Sequence, residues 1–481
     1  MIIKGCRMDI NPEHYFVLND GRIIKSLEEL TLFLKDMDHK TFTYHVNDQK
    51  NDFSNWIRYV FKAKKLADKI SSYQYKERRL IIAAIKQFLS ELKILVINAG
   101  SSSLKFQLLE LTTRDILIKG IIDAINLDRC TLKIYDNGEE RTKNVVVKNH
   151  EEAMQLLIQT LLEDDIIGDI SEIRAVGHRV VHGGEEYKDA IRIDATVLEK
   201  LKELSSLAPL HNPANVSCII AAQKVIPAPQ VAVFDTAFHA TIQKEKYLYG
   251  LPYEYYENYK IRKYGFHGSS HKYITGLMKE YYALKKKKKA NIIICHLGNG
   301  SSITAIKDWK SFNTTMGFTP ADGLVMGTRS GSLDPAIGLH LSQLIKMDYE
   351  DFGRMINKRS GLLGICGYSD MRDLHRNEKD PKIKLAMDIF ADRAVHFIGA
   401  YIAELNGVDG IVFTAGIGEN AFYIRKKILE NFVYLGLKLD EKKNAASEFI
   451  ITRKDSKIEA FVVATNEEIQ IATEVKKLLK L

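Results

Sequence analysis

No stretch of this 481-residue chain approaches the ~20 consecutive apolar residues needed to cross a bilayer, and the opening MIIKGCRMDI lacks the apolar core of a secretory leader. A cytosolic setting is expected. No C-x-x-C spacing occurs. The five cysteines, Cys6, Cys130, Cys218, Cys295 and Cys366, are odd in number and scattered, which supports neither a disulfide framework nor a zinc knuckle and leaves them as small buried hydrophobes. Nor does G-x-x-x-x-G-K-S/T appear anywhere, so a P-loop is excluded as a phosphate holder. What remains is a chain of ordinary hydrophobic content, 46%, long enough for about three domains.

The net charge of +8 is unevenly placed: residues 1–92 hold 16 Lys or Arg against 12 Asp or Glu, and Arg58 to Lys86 alone hold nine basic residues against two acidic. A basic helical segment can bind nucleic acid or serve as a solvated face, and the solvated face is favoured. The run KKKKK, Lys285 to Lys289, lies between a helical pattern and a strand pattern and reads as a surface loop.

The segment up to Leu92 opens with a strand and turn (YFVLNDGRII), continues through a helix capped by Ser26 (LEELTLFLKDM), and ends in helices rich in Lys and Arg. The motif NDFSNWIRYV predicts a capped helix that buries Phe53, Trp56 and Ile57. From Lys93 the character changes. Strand patterns KILVIN, LKFQLLE, DILIKGII, IRAVGHRVV, QVAVFD, NIIICHL, SITAI and DGIVFTA alternate with helices, which predicts α/β architecture and a domain boundary near Leu92.

Two turns share one plan. Leu95 to Glu110, LVINAGSSSLKFQLLE, and Ile292 to Asp308, IIICHLGNGSSITAIKD, each place Asn, Gly and serines between two strand-like runs. Successive backbone N–H groups and hydroxyls in such turns make anion-binding concavities, and Lys105 adds charge behind Ser101, Ser102 and Ser103. Two such turns suggest duplicated halves that face one phosphate-bearing ligand. Arg179 in AVGHRVVHGGEEY and Arg329 in ADGLVMGTRSGSLDP sit beside glycine turns, where a planar guanidinium could meet a phosphoryl group or a surface carboxylate. In KYGFHGSSHKYI, His267 and His271 are four apart, a metal-ligand spacing on a helix; but Gly268, Ser269 and Ser270 intervene, so His267 is expected to precede the helix and a serine to cap it. A neutral donor to a phosphate oxygen is the better reading for His267. DGIVFTAGIGENAFYIRKKIL predicts a strand, a tight turn at Gly416-x-Gly418 and a helix; it also satisfies a G-x-G-x-x-A dinucleotide pattern through Ala421, a weak match. FVVATNEEIQIATEV runs from a strand through Thr465 and Asn466 into a helix with Glu467 and Glu468 in its first turn.

In order, INAGSSSLKF, GHRVVHGGE, LAPLHNPAN, VFDTAFH, YGFHGSSH, HLGNGSS, MGTRSGSLDP, FTAGIGEN and ATNEE resemble the acetokinase family from about Lys93 to the C-terminus. The resemblance implies two duplicated ribonuclease-H-like domains of the actin-like ATPase and sugar-kinase superfamily with ATP in the cleft, Mg²⁺ or Mn²⁺ as cofactor, and homodimers. It implies a division into an N-terminal module (1–92), a first kinase domain (93–236, completed by 467–481) and a nucleotide-binding second domain (237–466). Residue by residue, it assigns catalysis to Arg179, His211, Asp235, His267 and Arg329. It assigns ATP binding to Ser101, Ser103, Lys105, His296, Asn299, Gly300, Asp370, Arg372, Gly416, Ile417, Gly418 and Asn420, and the metal to Asn98 and Glu467. Val181, Leu210, Phe266 and Pro320 would line the acyl pocket. Ser332 departs from the Asp that many relatives carry. The first 92 residues resemble a small module found joined to other proteins, and that resemblance supplies no activity.

The implied reaction is reversible transfer of the ATP γ-phosphoryl group to a short-chain carboxylate, acetate first, with propionate or butyrate as alternatives. An actin-like ATPase without carboxylate kinase activity would share the fold but would not need paired arginines facing a small acid. A nicotinamide-dependent dehydrogenase would leave the two serine turns without a task.

Overall fold

The run ILVI from Ile94 to Ile97 predicts a strand covered on both faces, and the first half of the fold is built around it. The computed structural model describes residues 14–61, 63–73, 77–90, 93–110, 115–136, 139–209 and 211–481. Leu92, Leu210 and Cys6 therefore lie outside the described residues. Strand Lys93–Ala99 sits inside an eight-stranded sheet. On one side of it run antiparallel Ser103–Glu110, Ile116–Asp123, Thr131–Asp136 and Glu139–Asn144; on the other come parallel Ile173–Val180 and Gln230–Phe234, then antiparallel Ile191–Arg192. Alternate residues serve opposite layers, as the period of two requires. Leu95 and Ile97 meet helices His150–Glu163 and Asn212–Val225 through Met154, Leu157 and Ala222, while Ile94 and Val96 meet Ile471 and Val475 of the C-terminal helix Glu467–Leu479.

A second sheet repeats this plan. Ile292–Leu297 pairs antiparallel with Ser301–Lys307, which pairs antiparallel with Lys310–Thr314; parallel Gly410–Thr414 and Glu459–Val462 follow on the other side. Both sheets share a three-stranded meander extended by two parallel strands in the same order, to which the first adds Thr131–Asp136, Glu139–Asn144 and Ile191–Arg192, so the duplication suggested by the two serine turns is a duplication of topology. Helices Pro381–Leu405 and Phe422–Leu429 cover one face and helix Gly268–Leu284 the other.

The described residues between 14 and 90 gather around their own core of Leu27, Leu30, Phe42, Phe53, Trp56 and Ile57. Its short hairpin, Phe16–Val17 with Ile23–Ile24, precedes helices Leu27–Asp36, His39–His45, Asp52–Val60, Lys64–Ser71 and Arg78–Ser90. Ser26 Oγ accepts from Glu29 N at 3.1 Å while Glu29 Oε2 accepts from Lys25 N at 2.8 Å, so the cap residue and the glutamate three places on brace the helix start from both sides. The last helix joins the layers: Leu89 packs on both this core and the Ile94–Val475 cluster, and Arg174 covers the Phe88 ring at 5.0 Å.

Cys130, Cys218 and Cys295 are buried thiols, and Cys366 is partly exposed. The lysine run is exposed, with Lys285, Lys287 and Lys289 paired to Glu459, Asp409 and Asp308. Among the described residues no helix is long and apolar enough to cross a membrane.

Candidate active site

The two serine turns close the first hairpin of each sheet. In the first, Gly100 N donates to Ser103 O at 2.8 Å, leaving Ser101 and Ser102 exposed at the tip, while Asn98 and Lys105 face each other across the strand pair. Two residues to which the sequence assigned no role hold this turn from below: Asn215 Nδ2 donates to Ala99 O at 2.7 Å and His150 Nε2 bonds Gly100 O at 2.9 Å. Asn215 Oδ1 also accepts from Val181 N at 3.1 Å, so one amide ties the turn to the strand that carries Arg179. In the second turn Gly298 N donates to Gly300 O at 3.1 Å and Asn299 is exposed. The loop bearing Arg329 is laid directly on it. Gly327 N donates to Asn299 O at 3.0 Å, and a Cβ on Gly327 would collide with Asn299 Oδ1.

Between the halves lies the charge centre. Arg179 projects from the end of strand Ile173–Val180, and its Nη2 donates to Asp235 Oδ2 at 2.9 Å. The same oxygen accepts from His267 N at 2.8 Å. Asp235, 1% exposed, thus fixes both an arginine and the start of helix Gly268–Leu284. Arg179 Nε lies 3.7 Å from Glu467 Oε2 at the start of the C-terminal helix. Burial opposes charge on Arg179, but Asp235 and Glu467 outweigh it and hold the guanidinium more firmly protonated. Burial also raises the Glu467 carboxyl to about 7, with Arg179 pulling the other way. Arg329 lies near Arg179, which adds to burial in lowering its pKa, and its Nη1 donates to Pro320 O at 3.2 Å. A Cβ built on Gly300 would come within 3.3 Å of His267 Nε2 and 3.5 Å of Arg329 Nη1, so the second turn, His267 and Arg329 meet at one point. Burial, with Arg179 and Arg329 adding to it, lowers the pKa of His211, which keeps it neutral.

His267 corrects one expectation. It occupies the helix N-cap itself at φ 57, and no serine side chain caps the helix. A left-handed histidine is uncommon and is held here by Asp235 through the backbone N–H. The Gly416-x-Gly418 turn is also corrected: residues Ala415–Asn420 form a short helix, and the positive φ falls on Ala415 at 65° rather than on either glycine. Glu419 Oε1 accepts from Ala415 N at 2.8 Å and from Thr465 N at 3.3 Å, bracing that turn against the segment entering the C-terminal helix. Gly416 and Asn420 are exposed; Ile417 and Gly418 are buried. Asp370 and Arg372 bond one another, with Arg372 Nη2 to Asp370 Oδ2 at 2.6 Å, and form an exposed pair outside the bonding network of the charge centre.

The apolar wall is larger than expected. Val181 and Phe266 join Ala208, Met316 and Met326 in one buried cluster. Pro320 contributes its carbonyl to Arg329, and Leu210 lies outside the described residues. Ser332 anchors its loop without the acid many relatives use: its Oγ donates to Asp322 Oδ1 at 2.6 Å and accepts from Gly323 N at 3.0 Å.

Matching sheets that each offer a polar turn to one charged cleft define a kinase of the actin-like ATPase and sugar-kinase superfamily. The chain belongs to the acetokinase family, which it matches over residues 93–473. It is 48% identical over 400 residues to an acetate kinase of Caldicellulosiruptor saccharolyticus, covering 81% of this chain and 100% of that one. A propionate kinase structure from Francisella tularensis superposes with a TM-score of 0.76 at 43% identity, covering 79% of this chain and 98% of that one. An acetate kinase structure from Porphyromonas gingivalis gives 0.77 at 38% identity, covering 80% and 99%.

Proposed function

We propose that the chain is an acetate kinase, reversibly transferring the γ-phosphoryl group of ATP to acetate to give acetyl phosphate and ADP. One observation carries this reading: Arg179 and Arg329 converge, with His267, beside a small buried wall of Val181, Ala208, Phe266, Met316 and Met326. Such a site suits a small acid with one short apolar end. A carboxylic acid of pKa about 4 to 5 is ionised at neutral pH, so no base is required; the task is to bring two anions together. The two guanidinium forks neutralise charge on the carboxylate and the phosphoryl group, Asp235 keeps Arg179 in register, and His267 donates to a phosphoryl oxygen. Ser101, Ser103, Lys105, Asn299 and Gly300 would hold the phosphates, and His296, Asp370, Arg372 and Gly416 to Asn420 the nucleotide.

A divalent cation fits the residues present. Asp235 Oδ1 is buried without a hydrogen-bond partner, Glu467 adds a second carboxylate, and Asn98 adds an amide oxygen, a donor set suited to hard cations such as Mg²⁺. When bound, Mg²⁺ would neutralise charge on the ATP phosphates.

We divide the chain into the module 1–92, a first kinase domain 93–236 with 467–481, and a second domain 237–466. A second copy of the chain is the natural occupant for helix Ala336–Ile345, which has no buried residue and exposes Leu339, Leu344 and Ile345. Nucleic-acid binding by the module is not favoured, because Arg58, Lys69 and Arg78 are engaged by Asp68, Gln87 and Met37. A cytoplasmic location agrees with its use of ATP. The test is acyl phosphate formation, trapped as hydroxamate, with acetate, propionate and butyrate in parallel. ATP hydrolysis without hydroxamate would indicate an ATPase instead, and a higher kcat/KM for propionate would reassign the substrate.

A further inference from the structure

Four imidazoles lie in series beneath the cleft. Ring centroids are 5.7 Å apart for His239 and His271, 6.1 Å for His271 and His296, and 4.2 Å for His296 and His267, which stack. Burial lowers His239 and His296 to about 4 and His267 and His271 well below 6.5, so all four are neutral at pH 7. A neutral imidazole carries hydrogen on one nitrogen and a bare lone pair on the other, and which is which decides what His267 can offer a ligand.

Ser302 makes that choice. Its fully buried Oγ lies 2.9 Å from His267 Nδ1 and 2.8 Å from His271 Nε2. A hydroxyl has one hydrogen and two lone pairs, so it can donate to one ring and accept from the other, or accept from both. These two rings are the only partners of Ser302 Oγ, so accepting from both would strand its hydrogen in the interior; the two arrangements that use it run in opposite directions. The far end of the chain separates them, because His271 Nδ1 is buried with no partner. If His267 donated to Ser302 and Ser302 to His271, His271 Nδ1 would be an orphaned N–H in the interior, a rare and costly state. In the opposite direction that nitrogen is a bare lone pair, and the N–H of His271 is used. His267 Nδ1 then accepts, and its hydrogen sits on Nε2, the atom beside Gly300 and Arg329. The arginines would by themselves draw a lone pair outward, so this arrangement opposes the local field and needs a buried partner to maintain it.

We propose that Ser302 and His271 are positioning residues: His271 Nε2–H donates to Ser302 Oγ and Ser302 O–H to His267 Nδ1, fixing His267 as the Nε2–H tautomer that presents a donor to a phosphoryl oxygen. The catalytic part rests on the reading that His267 faces the transferring group; the tautomer itself does not. The test is nitrogen NMR on the full chain labelled with ¹⁵N-histidine, with the His267 signals assigned by their loss in His267→Gln. His267 Nε2 should appear protonated and Nδ1 bare in the native protein. Ser302→Ala should mix the two tautomers and lower kcat ~10- to 100-fold with KM for acetate and ATP little changed, whereas His271→Gln, whose amide can still donate to Ser302, should retain the native tautomer and most of kcat. A protonated Nδ1 in the native protein overturns the proposal whatever the variants do, as does an unaltered tautomer in folded Ser302→Ala. A native Nε2–H tautomer with a fully active His267→Gln enzyme would overturn instead the placement of His267 against the phosphoryl group.

Discussion

Arg329 reaches the charge centre from a loop whose backbone is bonded to the second serine turn, so removing its side chain should leave the fold intact. Arg329→Ala is expected to lower kcat by ~10² or more at unchanged thermal stability, as when one preorganised stabilising group is lost. Arg179→Lys should not restore full activity, because a point charge cannot serve Asp235 and a phosphoryl oxygen as a planar fork does. Steady-state kinetics on folded variants checks both, and near-normal turnover would remove the arginines from the mechanism. Val181→Ala takes two methyl groups from the buried wall and should raise the propionate to acetate ratio of kcat/KM, chiefly through KM for propionate, within the ~1 to 3 kcal/mol that one methylene commands. An unchanged ratio would place the acyl group elsewhere. The cleft residues themselves were legible because each sits in a motif of unusual composition. The same motifs contain Ser302, Asn215 and Glu419, but the holding role of these three was not legible: each acts through contacts across 31 or more positions of the chain, and nothing local marks a serine, an amide or a carboxylate as a clamp.

Helices and strands were legible wherever one face is apolar. NDFSNWIRYV forms its capped helix over Asp52–Val60 with Phe53, Trp56 and Ile57 buried, as its spacing predicts. Strand Glu139–Asn144 escaped notice because every one of its residues is exposed; only pairing to Thr131–Asp136 makes it a strand. Short glycine segments misled in the opposite sense. The dipeptide spacing Gly416-x-Gly418 reads as a turn, but the Glu419 carboxylate binding Ala415 N caps a helical turn there. Helix Ala336–Ile345 buries none of its residues within one chain. Leu339→Glu together with Ile345→Glu should convert a dimer to a monomer in analytical ultracentrifugation, since each places a charge in a contact that would have to be dry. A dimer that persists would move the interface elsewhere.

Across the whole molecule, acid should act through buried imidazoles. His178, His182, His239 and His296 are held at about 4, first by burial, against an ordinary value of 6.5. Between those values the unfolded chain binds protons that the folded chain does not, so stability is full above pH 6.5 and falls as pH drops toward 4, by about 1.4 kcal/mol per pH unit for each histidine. Urea midpoints measured across that window should fall steeply, and His239→Gln should flatten the slope; a flat native profile would mean that these rings are solvated. A chain begun at Lys93 should keep its turnover but lose about 2 kcal/mol of stability, because Leu89 and Phe88 no longer cover Ile94 and Arg174. Loss of activity in that shortened, folded chain would mean the module completes the site. The helix Glu467–Leu479 has a further consequence in time. It supplies the second cover of a sheet whose central strand begins at Lys93, so during synthesis the first sheet waits with Ile94, Val96, Ala175 and Val233 uncovered until residues 467–479, more than 370 positions later, have emerged. The module at residues 14–90, closed on its own core, meets no such delay; the nascent chain thus carries a folded module ahead of a half-built enzyme until helix Glu467–Leu479 both seals the sheet and brings Glu467 beside Arg179.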